Sequence, residues 1–223
     1  MGTARTIYKN TVYLGISEIV SKILQFIVML YAARILSPEH FGKFNLALAM
    51  SFIAIIIADL GINTLLIREI SRNKKLADKY FINAFLIKIV LSFVAFFIIV
   101  SALNILNYSA DTREIVYIIW LFTIISTFTE LFYSIFRSFE MMFYDALLKI
   151  IRMVVLAFIS IYLLIKGYGV VIFSYSFVFV EALIVLIALL IASTKFIKLK
   201  MQIDFSLIKS IIKKAFPFGV AFI

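Results

Sequence analysis

Predominantly apolar runs alternate with short polar connections along the first 192 positions. They read as six membrane-length helices, running approximately Thr11 to Leu36, Phe44 to Ile67, Tyr80 to Leu103, Ile115 to Phe136, Ala146 to Ile165 and Val170 to Ala192. A helix rises about 1.5 Å per residue and a hydrocarbon core is about 30 Å thick, so each run is long enough to cross. A seventh run opens near Ala215 and continues to Ile223. Ahead of it, Asp204 is placed to cap a helix with Phe205, Leu207, Ile208, Ile211 and Ile212 opposite Ser206, Lys209, Ser210 and Lys213, which predicts an amphipathic helix on the membrane surface. The pattern is all-α, a polytopic membrane helix bundle. It divides into a six-helix bundle over 1–194, a linker over 195–214 and the start of a seventh membrane helix over 215–223.

The polar residues inside these runs carry the functional information. Glu18, Asp59, Glu130 and Glu181 each interrupt a different run, and Lys22 and Lys88 lie at similar depth. A charge at the centre of a membrane helix costs about 2.5 to 3.5 kcal/mol on insertion scales, so six facing lipid are strongly disfavoured. They are expected to face one another or a water-filled cavity, as in a transporter. In the first run Thr11, Gly15, Glu18, Lys22 and Gln25 share one helical face. Two roles for Glu18 and Lys22 stand side by side: an i,i+4 ion pair that holds the bundle together, or a proton or cation switch. In the fourth run Thr123, Ser126, Thr127, Glu130, Tyr133, Ser134 and Arg137 form a second polar stripe, whose hydroxyls are also able to bond back to their own helix. Asp59 precedes Leu60, Gly61 and Asn63, where a break in the second helix is expected, and discontinuous membrane helices are where substrate sites form. Lys88 either meets a phosphate or pairs with one of the acids.

Composition agrees. The chain is 65% hydrophobic with a mean hydropathy of +1.13, and its 22 Lys and Arg outnumber 12 Asp and Glu. Sixteen of the 22 fall on the side of the N-terminus and four, including Arg34, on the other, with Lys22 and Lys88 between. The positive-inside rule then puts the N-terminus in the cytoplasm of a multi-pass cell-membrane protein and accounts for the net charge of +10 without a nucleic-acid partner. Cysteine is absent and His40 is the lone histidine, in a predicted outer loop, so cysteine nucleophiles, disulfides and histidine-based metal or triad sites are excluded. No catalytic constellation is present. No cofactor is expected beyond proton or sodium coupling.

The stretch Ala33-Arg34-Ile35-Leu36-Ser37-Pro38-Glu39-His40-Phe41-Gly42-Lys43-Phe44, followed by Asp59-Leu60-Gly61-Ile62-Asn63 and Ile67-Arg68-Glu69-Ile70, resembles the N-terminal region of polysaccharide-biosynthesis flippases. These belong to the multidrug/oligosaccharidyl-lipid/polysaccharide exporter superfamily. Asp204-Phe205-Ser206-Leu207-Ile208-Lys209 and Lys214-Ala215-Phe216-Pro217-Phe218-Gly219 look like the same family's linker into its seventh helix. The resemblance implies one lobe of a MATE-like fold, with the second six-helix bundle expected to be missing or supplied by another copy. It also implies outward movement of a polyprenyl-diphosphate-linked oligosaccharide by alternating access, without enzymatic chemistry. The substrate cavity is then expected among Glu18, Lys22, Gln25, Arg34, Asp59, Asn63, Lys88, Glu130 and Arg137, with Lys22, Lys88 and Arg34 countering phosphates. Alternatives are a cation-coupled exporter of organic cations, a membrane-embedded glycan polymerase, and a non-transporting scaffold.

Overall fold

The computed structural model describes residues 2–198 and 202–220. Met1, 199–201 in the linker, and 221–223 at the end of the seventh run lie outside the described residues. All regular structure among the described residues is helical: α1 (Gly2–Ile35), α2 (Pro38–Asp59), α3 (Ile62–Arg72), a 3-10 turn (Lys74–Leu76), α4 (Ala77–Ile105), α5 (Ala110–Ser138), α6 (Met142–Ile165), α7 (Val170–Lys195) and α8 (Phe205–Val220). Six segments are long and apolar enough to cross a membrane, with α2 and α3 forming one interrupted span over Pro38–Arg72. The six apolar runs of the sequence are these segments. Most of these segments extend past their runs at one end or both, because backbone hydrogen bonds must be satisfied within the chain until water can take over.

Local signals set the ends. Ser37 caps α2 by accepting the His40 amide at 3.3 Å, and Pro38 follows at the first helical position, where no amide partner is needed. At the opposite face α5 ends at Ser138, Glu140 just beyond it adopts a left-handed conformation (φ 61°), and the Glu140 carbonyl accepts the side-chain amide of Asn10 from α1 at 2.9 Å.

Helix α5 is the hub, with α2, α3, α4, α6 and α7 all packed on it. Small buried residues Ala47, Ser51, Ala54 and Ala58 recur along one face of α2, which lets the neighbouring backbones approach closely. Helix α1 packs mainly on α6 and exposes Ile16, Ile19, Ile23 and Phe26. It is the least buried span.

Helix α8 packs on α3 and α4. Asp204 caps it by accepting the Leu207 amide at 3.0 Å and pairs with Lys79 at 2.6 Å, while Asn83 of α4 bonds both the Gln202 carbonyl and the Asp204 amide. Its other end meets the α2–α3 break, next to which Asp59 pairs with Lys88 of α4. Asn83 and Lys88 are only about 7 to 8 Å apart along α4, whereas α8 is about 24 Å long, so α8 crosses obliquely. It runs through Ala215 without interruption, so the amphipathic stretch and the start of the seventh run are one helix as far as Val220.

Candidate functional site

The site is built on the interruption between α2 and α3. Leu60 (φ 43°) and Gly61 (φ 78°) are both left-handed, which ends α2 at Asp59 and restarts the chain as α3. A left-handed conformation costs a non-glycine residue about 1 to 2 kcal/mol, so Leu60 is held there by its surroundings. Those surroundings are α8. A Cβ placed on Gly219 would come within 2.8 Å of the Leu60 carbonyl carbon, and one on Gly61 within 2.6 Å of the Gly219 nitrogen. Two glycines therefore allow backbone-to-backbone contact at the break.

Beside the break is a cavity of about 520 Å³ bounded by α2, α3, α4, α5 and the end of α8. Asp59, Asn63, Lys88, Thr127, Glu130 and Arg137 supply its polar wall, and Phe52, Ile55 and Ile56 its apolar one. Lys88 is fully buried. Its ammonium binds Asp59 at 2.7 Å and donates to the Thr127 carbonyl at 3.2 Å. Arg137 bridges Glu130 at 3.4 Å and the fully buried Asp145 at 2.5 Å. The Asn63 side-chain oxygen is buried without a hydrogen-bond partner among the described residues.

The charges continue away from the cavity. Asp145 is 3.6 Å from Lys149, and Lys149 reaches across to Glu18 of α1 at 2.7 Å, so Glu130, Arg137, Asp145, Lys149 and Glu18 form one ladder from the cavity wall to the peripheral helix. A separate pair joins Arg152 of α6 to the buried Glu181 of α7 at 3.4 Å, beside a second cavity of about 120 Å³ that Gln25 also lines.

Five of the nine residues expected from sequence line the main cavity: Asp59, Asn63, Lys88, Glu130 and Arg137. The other four do not. Glu18 pairs with Lys149 and not with Lys22, because α6 brings an ammonium closer than the next turn of α1 does. Lys22 is exposed and makes no ion pair among the described residues, Gln25 borders the smaller cavity, and Arg34 is exposed in the last turn of α1, where a cation suits the helix dipole. Lys88 takes the pairing role, with Asp59. The hydroxyls of Thr123, Thr127 and Ser134 bond to carbonyls of their own helix. Asp145, Lys149 and Arg152 were missed. Lys149 and Arg152 count among the sixteen cations on the side of the N-terminus, yet the spacing of four and three residues places all three on one face of α6, which is the available signal.

An interrupted span, charges paired inside the bundle and a polar cavity beside the break define a polytopic membrane helix bundle with a polar interior. The fold is that of a multidrug resistance MATE family transporter of the MOP superfamily, solved in an outward-facing conformation (TM-score 0.77, 16% identity, 96% of this chain and 52% of that one). It is matched as well by a MOP superfamily transporter from Pyrococcus furiosus, whose reversed binding-pocket polarity suggests a different function for that protein (TM-score 0.76, 16% identity, 96% and 52%). The chain spans about half the length of these structures. A family model described as polysaccharide biosynthesis protein matches residues 7–223, and the chain belongs to that family. No curated protein matches it.

Proposed function

We propose that this chain forms one lobe of a flippase that moves a lipid-diphosphate-linked oligosaccharide from the cytoplasmic to the outer leaflet for cell-surface glycan assembly. The observation that carries this reading is a cavity with a polar, charge-paired wall inside a membrane bundle of the polysaccharide biosynthesis family. Sugar and diphosphate would occupy the polar space while the lipid tail stays in hydrocarbon. No covalent step is required. A second six-helix bundle, from the rest of a longer chain or from a second copy, would complete the cavity.

The N-terminus is cytoplasmic in this reading. Arg137, Lys149 and Arg152 belong to internal ion pairs, but removing them from the topological count still leaves thirteen Lys and Arg on that side against four on the other. The pairing also reassigns the phosphate contacts. Lys88 is committed to Asp59, so the cations able to meet a diphosphate are Arg137 on the cavity wall, whose 3.4 Å contact with Glu130 is the weaker of its two bonds, and, where the second bundle extends the cavity across α1, the exposed Lys22. Diphosphate binding would draw Arg137 from Glu130 and leave that carboxylate to take up a proton or a sodium ion.

The test is flipping of a fluorescent polyprenyl-diphosphate oligosaccharide in proteoliposomes holding the complete transporter. Lys22→Gln should slow flipping while leaving thermal stability unchanged; undiminished flipping removes Lys22 from the mechanism. The acids at the cavity, Asp59 and Glu130, favour export of an organic cation as the second reading. Drug-resistance assays of Asp59→Asn and Glu130→Gln separate the two, because a flippase variant confers no change in resistance.

A further inference from the structure

On the face of α5 opposite the polar cavity lies a second concavity of different character. Ser126, Thr127 and Glu130 face the cavity, whereas Ile125, Phe128 and Phe132 lie about half a turn around the helix and line an apolar groove of about 430 Å³. The groove is the gap between α4 and α7, both of which pack on α5. Phe81 and Phe85 of α4 form its second aromatic wall, meeting Phe132 and Phe128 at ring separations of 5.2 and 4.9 Å, and Leu186 and Leu189 of α7 close the far side.

Depth and charge identify what fills it. The lining residues sit in the last few turns of α5 and α7 and the first few of α4, so the groove occupies the leaflet on the side of the α3–α4 and α7–α8 connections. At that end the segment after α7 crosses to α4, where the Lys198 amide donates to Asp78 Oδ1 at 2.8 Å. The exposed Lys198 side chain and the second oxygen of Asp78 make no ion pair among the described residues. Lys79 is occupied by Asp204, and Lys195 by the Tyr144 hydroxyl. Among the described residues, the Lys198 side chain and the Asp78 carboxylate, neither of them in an ion pair, therefore meet at the end of a greasy slot.

We propose that the groove binds one phospholipid with a zwitterionic aminophosphate headgroup, of the phosphatidylethanolamine class. One acyl chain lies between α4 and α7 against the phenylalanines, the phosphate meets Lys198, and the ammonium meets Asp78. Anionic headgroups would leave Asp78 facing a like charge, and a quaternary ammonium cannot donate a hydrogen bond to it. The site is separate from the substrate cavity and does not depend on which substrate that cavity carries.

The experiment uses the full protein in nanodiscs containing trace phosphatidylethanolamine with a diazirine in its acyl chain, followed by peptide mapping. Labelling should concentrate on α4 and α7. Leu186→Trp or Ile82→Trp, each filling the groove from a different helix, should lower it at least tenfold with thermal stability retained, and Lys198→Gln should remove the preference over the matching phosphatidylglycerol and phosphatidylcholine probes. Equal labelling of both tryptophan variants and wild type overturns the proposal. So does equal labelling by the three headgroup classes in wild type, or by a free diazirine fatty acid.

Discussion

Substituting alanine for Gly219 tests whether α8 is held by backbone contact at the broken helix. The added Cβ would lie 2.8, 2.9 and 3.0 Å from the carbonyl carbon, carbonyl oxygen and Cα of Leu60, none of which can rotate away. Overpacking of this kind costs about 1 to 3 kcal/mol. If the cost falls on the docked state, the ratio of docked to undocked α8 falls by about 5- to 150-fold. Gly61→Ala should be worse, because its Cβ would approach the Gly219 nitrogen, the Ala215 carbonyl and the Phe218 Cβ at 2.6 to 2.7 Å and its φ of +78° adds about 1 to 2 kcal/mol for any residue with a side chain. Gly15→Ala is the control. Nothing lies within 4 Å of its new methyl group, and alanine in a helix interior is favoured over glycine by about 1 kcal/mol. The chain has no cysteine, so Ser126→Cys places a single thiol in the cavity wall. Its labelling by a water-soluble maleimide should accelerate in the order Gly15→Ala, Gly219→Ala, Gly61→Ala. Identical rates in the three backgrounds would show that the glycine contact does not keep α8 in place.

Three further outcomes follow from the ion pairs. Asp59→Leu alone should destabilise the bundle by about 3 to 5 kcal/mol by leaving the fully buried Lys88 ammonium unpaired, and adding Lys88→Met should recover most of the loss; thermal unfolding in detergent checks both. Arg137→Gln takes from the fully buried Asp145 its close partner, so it should cost a similar amount, about 3 to 5 kcal/mol, while Lys149→Gln frees the half-exposed Glu18 and removes only the looser 3.6 Å contact with Asp145, and should be milder in the same assay. At the start of α8, the Lys79 ammonium and the Leu207 amide hold the Asp204 carboxyl below the usual carboxylate range. Because its docked value is depressed, its contribution is complete above the ordinary carboxylate range and is lost as pH falls through the depressed value. Hydrogen exchange at Leu207, corrected for the intrinsic rate, should therefore lose protection on acidification, and Asp204→Asn should abolish that dependence.

The spans were legible because hydrocarbon imposes one rule everywhere along them: backbone groups must bond internally over about 20 residues. The break was legible for a related reason, since Asp59, Leu60, Gly61 and Asn63 together are poor material for a continuous membrane helix. Partner choice was not. Glu18 has Lys22 four residues away, in the order that favours pairing in an isolated helix, yet such a pair is worth only about 0.2 to 0.5 kcal/mol, and bundle packing offers Lys149 at 2.7 Å instead.

The difference between Glu18 and Glu130 shows why the polar cavity could be anticipated only in part. Both are acids on polar stripes of membrane helices, and sequence treats them alike. Helix α5 is the hub of the bundle, so a stripe on it must face other helices, and the Glu130 side reaches the space left where α2 breaks. Helix α1 rests chiefly on α6, so its stripe of Thr11, Gly15, Glu18, Lys22 and Gln25 stays exposed, and Glu18 is held by Lys149 of α6. Which stripe becomes a cavity wall is thus fixed by the order of packing around α5, a property of pairs of helices that no single helix encodes. The ladder from Glu130 to Glu18 then joins the two, so the cavity wall and the least buried helix are linked by one run of ion pairs through Arg137, Asp145 and Lys149.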